Sequence, residues 1–158
     1  QVQANYGARE LLRVAGVPVG QVIGTDVVPS HQTMPREAGS IIVILATDAP
    51  LIPIQCQRLA RRATTGLAWV GGIGANGSGD IFLAFSTANH VRQKDRVSDV
   101  RMIAPAAMTD LFLAAAEATE EAILNALCMA ETLTGREGRV AHALPLDKLC
   151  EVMSRYRP

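Results

Sequence analysis

Apolar residues fall into runs and alternations that predict several β-strands along the chain. The strongest is a continuous β-branched run over residues 40–47, which is typical of a strand buried on both faces. A second strong strand is predicted over residues 80–87, and residues 1–7 resemble the end of a strand. Weaker patterns predict short strands or a hairpin at residues 9–14 and 17–23, around a break at Gly16. Short strands are also predicted at 100–103 and 139–143.

Three stretches have the helical spacing of apolar residues, and they cover residues 53–69, 109–133 and 145–156. The longest begins at Thr109 or Asp110, either of which can cap it. Because that helix is apolar on nearly all sides, we expect a sheet, a neighbouring helix or another subunit to cover it. The chain is therefore predicted to be an α/β protein of the α+β type, with helices layered on a sheet and the topology open.

The amino-acid composition limits the kinds of partner that the chain can bind. The chain has 158 residues, of which 49% are hydrophobic and 19% charged, so it can bury a core as a single domain portion. Fifteen basic and fifteen acidic residues cancel, and only 4% are aromatic, which argues against a nucleic-acid partner. No run approaches the ~18 consecutive apolar residues that cross a bilayer. Because the first residue is Gln1 and residues 1–7 read as a strand in progress, we expect a piece of a longer protein.

Cysteine and histidine spacing favours neither a disulfide framework nor a metal site. The cysteines are odd in number and lack a CxxC pair, so a reducing, cytoplasmic compartment is the expectation. The histidines lie without metal-ligand spacing, and no metal is expected. These residues are Cys56, Cys128 and Cys150, and His31, His90 and His142.

A glycine-rich loop at residues 71–77 contains a literal GxGxxG, beginning at Gly72. The dinucleotide fingerprint requires a strand before the glycines and a helix after them, so that phosphate meets a helix N-terminus. Here a predicted helix precedes the loop and a predicted strand follows it. We therefore expect no nucleotide cofactor.

The end of the same loop carries a candidate site. Ser78 and Asp80 lie two residues apart as the chain enters a strand, so both side chains can address one point. As a pair, a hydroxyl and a carboxylate can orient a third group. The alternative is a polar turn in which both side chains satisfy loop amides.

Two further positions suggest hydrolytic chemistry. Cleavage between Gly39 and Ser40 would give Ser40 a free α-amine, which can act as a base for its own hydroxyl. The alternative is an ordinary polar residue that opens a strand. Asn5, at the predicted end of the first strand, could donate its amide to a developing oxyanion, and the alternative is a turn-capping Asn before a glycine.

Taken together, these segments resemble one known family. VQANYG, GSIIVILATDAPL, RLARRA and NGSGDIFLAFSTAN occur in this order and cover most of the chain. They are similar to the C-terminal part of the DmpA-like aminopeptidases, peptidase family S58, which includes L-aminopeptidase/D-esterases and β-peptidyl aminopeptidases.

The resemblance implies a precursor that cuts itself before a serine into α and β pieces that stay associated. Residues 1–39 would end the α piece with the processing loop, and residues 40–158 would form the β piece, with Ser40 as nucleophile. Ser78 and Asp80 would orient or activate it, and Asn5 would hold the oxyanion. The implied fold is a four-layer αββα sandwich in a homo-oligomer, without a cofactor. The implied substrates are short peptides or amino-acid amides or esters.

The family's N-terminal part, with much of its substrate pocket, is absent from this chain. Without it we expect one side of the sheet to be exposed and cannot assign a preference for L-, D- or β-residues. One alternative is a self-cleaving acyltransferase of the ornithine acetyltransferase type, but that type normally uses threonine where this chain has Ser40. The other is a family member retained only as an oligomeric or binding subunit.

Overall fold

A computed structural model describes residues 1–30 and 39–156 of the chain. The processing loop expected before Ser40 therefore lies partly outside the described residues, and His31 lies wholly outside them. The strands are β1 (Val2–Asn5), β2 (Ser40–Thr47), β3 (Ile81–Ser86), β4 (Leu133–Thr134) and β5 (Val140–Ala141). The α-helices are α1 (Val19–Val22), α2 (Pro53–Ala60), α3 (Ala63–Trp69), α4 (Met108–Cys128) and α5 (Leu146–Tyr156). Three short 3-10 turns lie at Arg9–Leu11, Pro105–Ala107 and Arg136–Gly138.

The main sheet has the strand order β1-β2-β3 within the described residues. β1 runs antiparallel to β2, with Asn5 opposite Ser40, and β3 runs parallel to β2, with Ile81 opposite Ile42. As a result, the last residue of β1 and the first residues of β2 and β3 meet at one end of the sheet.

One face of this sheet carries the core. Ile41, Val43 and Leu45 alternate along β2 and are almost completely buried, as the period of two along a strand requires. They pack against residues of α2, α3 and α4, which form a single helical layer. The other buried members of this main cluster are Leu51, Leu59, Ala63, Leu67, Val70, Met108, Ala115 and Ile123.

The opposite face of the sheet is exposed and apolar. Ile42 of β2 is 40% exposed, and Ile81, Leu83 and Phe85 of β3 are 44–57% exposed. A row of large apolar side chains on a strand surface is normally covered by another layer. The structure therefore confirms the expectation that this chain leaves one side of its sheet uncovered.

A second, smaller cluster joins the two ends of the described chain. Val19 and Ile23, from α1 and the residue after it, pack against Leu149 and Val152 of α5. Arg9 donates hydrogen bonds to the carbonyl oxygens of Gly24 and Val28 and so ties the 3-10 turn to this unit.

Strand predictions outside the main sheet are confirmed only in part. Residues 9–11 form a 3-10 turn and Val19–Val22 form α1, so the predicted strands there are wrong. The alternative of a hairpin is confirmed only as one antiparallel bridge between Val14 and Val17. Residues 100–103 are not a strand. Within the predicted strand at 139–143, only β5 forms. It pairs with β4, and the sequence pattern did not predict β4.

The helix predictions are confirmed with changes at their ends. The helix predicted over 53–69 is two helices, because Arg62 makes a tight hydrogen bond back to Leu59 at the junction of α2 and α3. α4 starts at Met108 directly after a 3-10 turn, so the predicted cap at Thr109 or Asp110 is wrong. It ends at Cys128 rather than near 133, because the chain there turns into β4.

Elements of this chain cover only part of the surface of α4, and coverage by another subunit stays a prediction. One stripe is buried, while Leu113 on the outer side is 54% exposed and its neighbours there are mostly alanine and glutamate. Within residues 1–30 and 39–156, no helix is long and apolar enough to cross a membrane.

Close packing of α3 on α4 generates a prediction at Gly66. A Cβ atom there would lie 2.1 Å from the carbonyl oxygen of Ala116 and 2.8 Å from Cβ of Thr119. Gly66→Ala should lower the free energy of unfolding by about 1–3 kcal/mol, the usual cost of overpacking. At a solvent-exposed helix position, replacing glycine by alanine would instead raise the free energy of unfolding by ~1 kcal/mol.

Chemical denaturation measures this difference, and Thr65→Ala on the exposed side of α3 is the matched control. The control should change the free energy of unfolding by no more than ~0.5 kcal/mol. A Gly66→Ala protein as stable as the wild type would show that α3 and α4 do not pack this closely.

Candidate functional site

The sheet brings all four predicted site residues to one end. Asn5 is the last residue of β1, Ser40 is the first residue of β2, and Ser78 and Asp80 lie just before β3. The antiparallel pairing of β1 and the parallel pairing of β3 are the physical reason, because they align one strand end with two strand starts. Residues that are 73 or more positions apart in sequence, such as Asn5 and Ser78, thereby become neighbours.

Ser40 presents its hydroxyl to the loop before β3. The backbone N–H of Gly79 donates a hydrogen bond of 3.0 Å to Ser40 Oγ. A Cβ atom at position 79 would lie 3.2 Å from that same Oγ, so the glycine permits the close approach. This backbone donor orients the hydroxyl, and no residue-type pattern in the sequence could have identified it.

Asp80 connects its own loop to the start of β2. Its Oδ1 accepts a hydrogen bond from the Ser78 hydroxyl and another, 3.1 Å long, from the backbone N–H of Ile41. The carboxylate therefore lies one residue from the backbone nitrogen of Ser40. The predicted pairing of Ser78 with Asp80 is present, and the bond to Ile41 directs the pair towards the predicted nucleophile rather than only into its own turn.

Asn5 lies opposite Ser40 in the register of β1 and β2. Directly opposed residues in an antiparallel pair have Cβ atoms ~4.5–5.5 Å apart. Both belong to the exposed face of the sheet, since Ile41 and its register partner Ala4 point to the core side. A carbonyl group bound at Ser40 Oγ would therefore be within reach of the Asn5 amide.

Gly39 is confined by the end of β1. A Cβ atom there would lie 2.7 Å from the carbonyl oxygen of Asn5 and 2.9 Å from Cα of Tyr6. A glycine fits here because residue 39 lies directly on the Asn5–Tyr6 peptide unit.

A cavity of about 210 Å³ borders Gly39. Gly39, Ser78 and Asp80 line one side of it, and Tyr6, Ile73 and residues of the glycine-rich loop line the rest. Burial, and next the negative charge of Asp80, raise the pKa of Tyr6 from its usual 10.0 to about 12. Its phenol therefore stays neutral at ordinary pH. Tyr6 was missed as a site residue, although it follows Asn5 in the VQANYG segment.

The glycine-rich loop connects a helix to a strand, as expected for a structural connection. It follows the C-terminal end of α3 and precedes β3, which is the reverse of the strand–loop–helix order of a dinucleotide-binding loop. Gly71 has a φ of +99°, and a Cβ there would lie 2.0 Å from the carbonyl oxygen of Leu11. Among the described residues, no group of three or more His, Cys, Asp or Glu side chains could hold a metal ion.

The raised pKa of Tyr6 can be measured directly. The chain has two tyrosines, so Tyr156→Phe leaves Tyr6 as the only phenol. Spectrophotometric titration of that variant should give a midpoint of about 12. Adding Asp80→Asn should lower the midpoint, because it removes the negative charge that opposes ionisation.

Asp48→Asn, at the far end of β2, is the matched control and should leave the midpoint unchanged. Because folding raises the pKa of Tyr6, the contribution of this phenol to the free energy of unfolding is fully present below pH 10.0. That contribution is lost as the pH rises through about 12. A midpoint near 10 in folded protein would contradict the burial of Tyr6 beside Asp80.

Known proteins resemble this chain in both sequence and structure. It is 44% identical over 168 residues to beta-peptidyl aminopeptidase BapA of Sphingosinicella microcystinivorans, across 99% of this chain and 42% of the relative. A crystal structure of a Pyrococcus horikoshii protein matches with a TM-score of 0.87 and 45% identity, over 99% of this chain and 42% of that one. The chain therefore spans about two fifths of the length of these relatives.

The structure of L-aminopeptidase D-Ala-esterase/amidase from Ochrobactrum anthropi matches with a TM-score of 0.83 and 42% identity, over 98% of this chain and 42% of that one. That enzyme is described as a new variant among the Ntn hydrolase fold, and the likeness confirms the predicted α/β fold of the DmpA kind. The model of peptidase family S58 matches residues 1–141. The match covers most of the chain and includes every predicted site residue, so this chain belongs to peptidase family S58.

Proposed function

We propose that the complete protein is a self-processing aminopeptidase whose nucleophile is an N-terminal Ser40. The observation that carries this proposal is the position of Asp80. Its carboxylate is hydrogen-bonded to the N–H of Ile41, one residue from the nitrogen that cleavage would free. A carboxylate at that distance can orient and stabilise an α-amine as it takes up a proton.

Self-cleavage would begin with attack of Ser40 Oγ on the carbonyl carbon of Gly39. The Gly39–Ser40 C–N bond breaks, the nitrogen takes a proton, and Gly39 becomes an ester on Oγ. Water then hydrolyses the ester and leaves a carboxylate on Gly39 and a free α-amine on Ser40. The tight packing of Gly39 on the Asn5–Tyr6 peptide restricts the conformations of residue 39 during this attack.

Turnover would use the same atoms. The α-amine takes the hydroxyl proton of Ser40, and Oγ attacks the substrate carbonyl. The Asn5 amide donates to the oxyanion, a contact whose removal costs ~3–4 kcal/mol in comparable sites. The leaving amine takes the proton, and water hydrolyses the acyl-enzyme. Ser78 and Asp80 act together to position the α-amine.

We also propose how the complete protein assembles and where it is located. The exposed apolar face of the sheet supports association with an N-terminal α piece of the same precursor, and the family resemblance supports a homo-oligomer. Cys56, Cys128 and Cys150 are all free thiols, which supports the cytoplasm as the compartment. The proposed division into residues 1–39 and 40–158 follows from the proposed cut.

Self-cleavage can be tested by mass analysis of the complete protein under denaturing conditions. We expect two pieces, one of which begins Ser-Ile-Ile-Val. Ser40→Ala should give a single uncut chain without aminopeptidase activity, because it removes the attacking oxygen. Ser154→Ala, an exposed serine on α5, is the matched control and should be cut normally. A Ser40→Ala protein that is still cut after Gly39 would eliminate Ser40 as the nucleophile.

The confinement of Gly39 also supports a substrate preference. During self-cleavage the acyl carbonyl belongs to residue 39, and a substrate carbonyl must reach the same Ser40 Oγ. A substituent on the substrate's α-carbon would then lie 2.7 Å from the backbone carbonyl oxygen of Asn5 and 2.9 Å from Cα of Tyr6. A β-residue that carries its side chain on the β-carbon has an unsubstituted CH₂ at this point. We therefore propose that β-residues are preferred, in keeping with the name of the Sphingosinicella relative.

Anilides of three amino acids test this preference in the processed enzyme. The β-homoalanine anilide should have a kcat/KM about tenfold or more above that of the L-alanine anilide, since one overpacked contact costs ~1–3 kcal/mol. The glycine anilide is the control for the steric argument and should also exceed L-alanine. An L-alanine anilide turned over as fast as both would show that the pocket beside Gly39 does not select at the α-carbon.

A further inference from the structure

The cavity beside Gly39 lies on the core side of the sheet. Leu67 of α3, a buried member of the main cluster, lines it together with Tyr6 and Asp80. Its volume of about 210 Å³ has room for several water molecules, since one water occupies ~30 Å³ in the liquid. The cavity is therefore a place from which water can reach residue 39.

The proposed self-cleavage needs such a water in its second step. In the ester intermediate the carbonyl carbon of Gly39 is bonded to Ser40 Oγ, and hydrolysis requires attack on that carbon. An attacking water keeps a lone pair for the carbon and can donate its two hydrogens to acceptors. Two acceptors within reach hold the water in one orientation, and such positioning lowers the barrier to attack.

Asp80 can provide the first acceptor. A carboxylate has about four lone-pair sites on its two oxygens. Within the described part of the chain, the hydrogen bonds that this carboxylate accepts, from the Ser78 hydroxyl and from the N–H of Ile41, both end on Oδ1. The sites on Oδ2 can therefore serve the α-amine of Ser40 and a water molecule.

Tyr6 can provide the second acceptor. Among the described residues that line the cavity, the polar side chains are those of Tyr6, Ser78 and Asp80, and the last two already form a hydrogen-bonded pair. The Cα atom of Tyr6 lies 2.9 Å from the point that a Cβ on residue 39 would occupy. Its phenol stays neutral at ordinary pH because burial and the charge of Asp80 raise its pKa. A neutral phenol oxygen can accept a hydrogen bond from water.

We propose that Tyr6 is a positioning residue which, together with Asp80, orients the water that hydrolyses the Gly39 ester. This inference rests on the proposed self-processing. The water donates one hydrogen to the phenol oxygen of Tyr6 and the other to Asp80, and its oxygen bonds to the carbonyl carbon of Gly39. The bond from that carbon to Ser40 Oγ breaks, and the proton taken up by Asp80 passes to Oγ. Gly39 is left with a carboxylic acid, which then ionises.

The test follows newly synthesised complete precursor that carries Tyr6→Phe. This change removes the phenol oxygen and keeps the ring, which packs against the main cluster. Self-cleavage on denaturing gels should be at least about tenfold slower than in the wild type, because the water loses one of its two partners. Tyr156→Phe, on α5 and 53% exposed, is the matched control and should be cut at the wild-type rate. Equal rates for Tyr6→Phe and the wild type, or equal slowing in the control, would overturn the proposal.

Neutral hydroxylamine separates ester formation from ester hydrolysis. It attacks the ester itself and needs no oriented water, so it should return cleavage of the Tyr6→Phe precursor to near the wild-type rate. The upstream piece should then end in a hydroxamate at Gly39, which is heavier than the carboxylic acid by one NH group. A Tyr6→Phe precursor that stays slow in hydroxylamine would have its defect in ester formation or in folding, and that result would reject the positioning of water.

Wild-type precursor shows whether the proposed function itself fails. If it stays uncut both with and without hydroxylamine, no ester forms at Ser40, and the proposed self-processing fails together with the role of Tyr6. If hydroxylamine cuts it and water does not, the ester forms and Ser40 remains the nucleophile. In that case no water is oriented for hydrolysis, and only the role of Tyr6 is overturned.

Discussion

The hydrogen-bonded pairing of β2 with one antiparallel and one parallel neighbour is the constraint on which the rest of this structure depends. It sets the end of β1 beside the starts of β2 and β3, and so places Asn5, Ser40 and the loop with Ser78 and Asp80 at one point. A shift of one residue in either register would turn the buried side chains of β2 to the exposed face. The burial of Ile41 and Val43 therefore maintains the geometry of the site as well as the core.

Backbone groups and glycines shape the site as much as its polar side chains do. Ser40 Oγ is held by the N–H of Gly79, and Asp80 by the N–H of Ile41. Gly39 and Gly79 allow approaches that a Cβ would block or crowd. In the proposed mechanism, the crowding around residue 39 would also restrict the substituents of a substrate bound at Ser40. Positioning and selectivity would then have a common steric origin.

Two hydrophobic clusters stabilise different parts of the fold. The main cluster joins β2 to the helical layer of α2, α3 and α4, and lies almost wholly after the Gly39–Ser40 bond. The second cluster crosses that bond in sequence and ties α1 to α5. The apolar face of β2 and β3 is exposed in this chain, which spans about two fifths of the length of its relatives.

Much of this was determined by the sequence alone, where a local signal was strong. The β-branched run of β2, the apolar alternation of β3 and the spacing in α4 each predicted their element, because strand and helix periodicity is a property of neighbouring residues. The segments around Asn5, Ser40, Ser78 and Asp80 carried a resemblance specific enough to predict the family, and comparison confirmed it. Tertiary structure decided what periodicity cannot encode. Val19 and Ile23 belong to a helical turn that packs on α5, which lies more than 120 residues away in sequence. The involvement of Tyr6, the donor at Gly79 and the steric limit at Gly39 all depend on atoms brought together by strand pairing, and no short stretch of sequence contains that information.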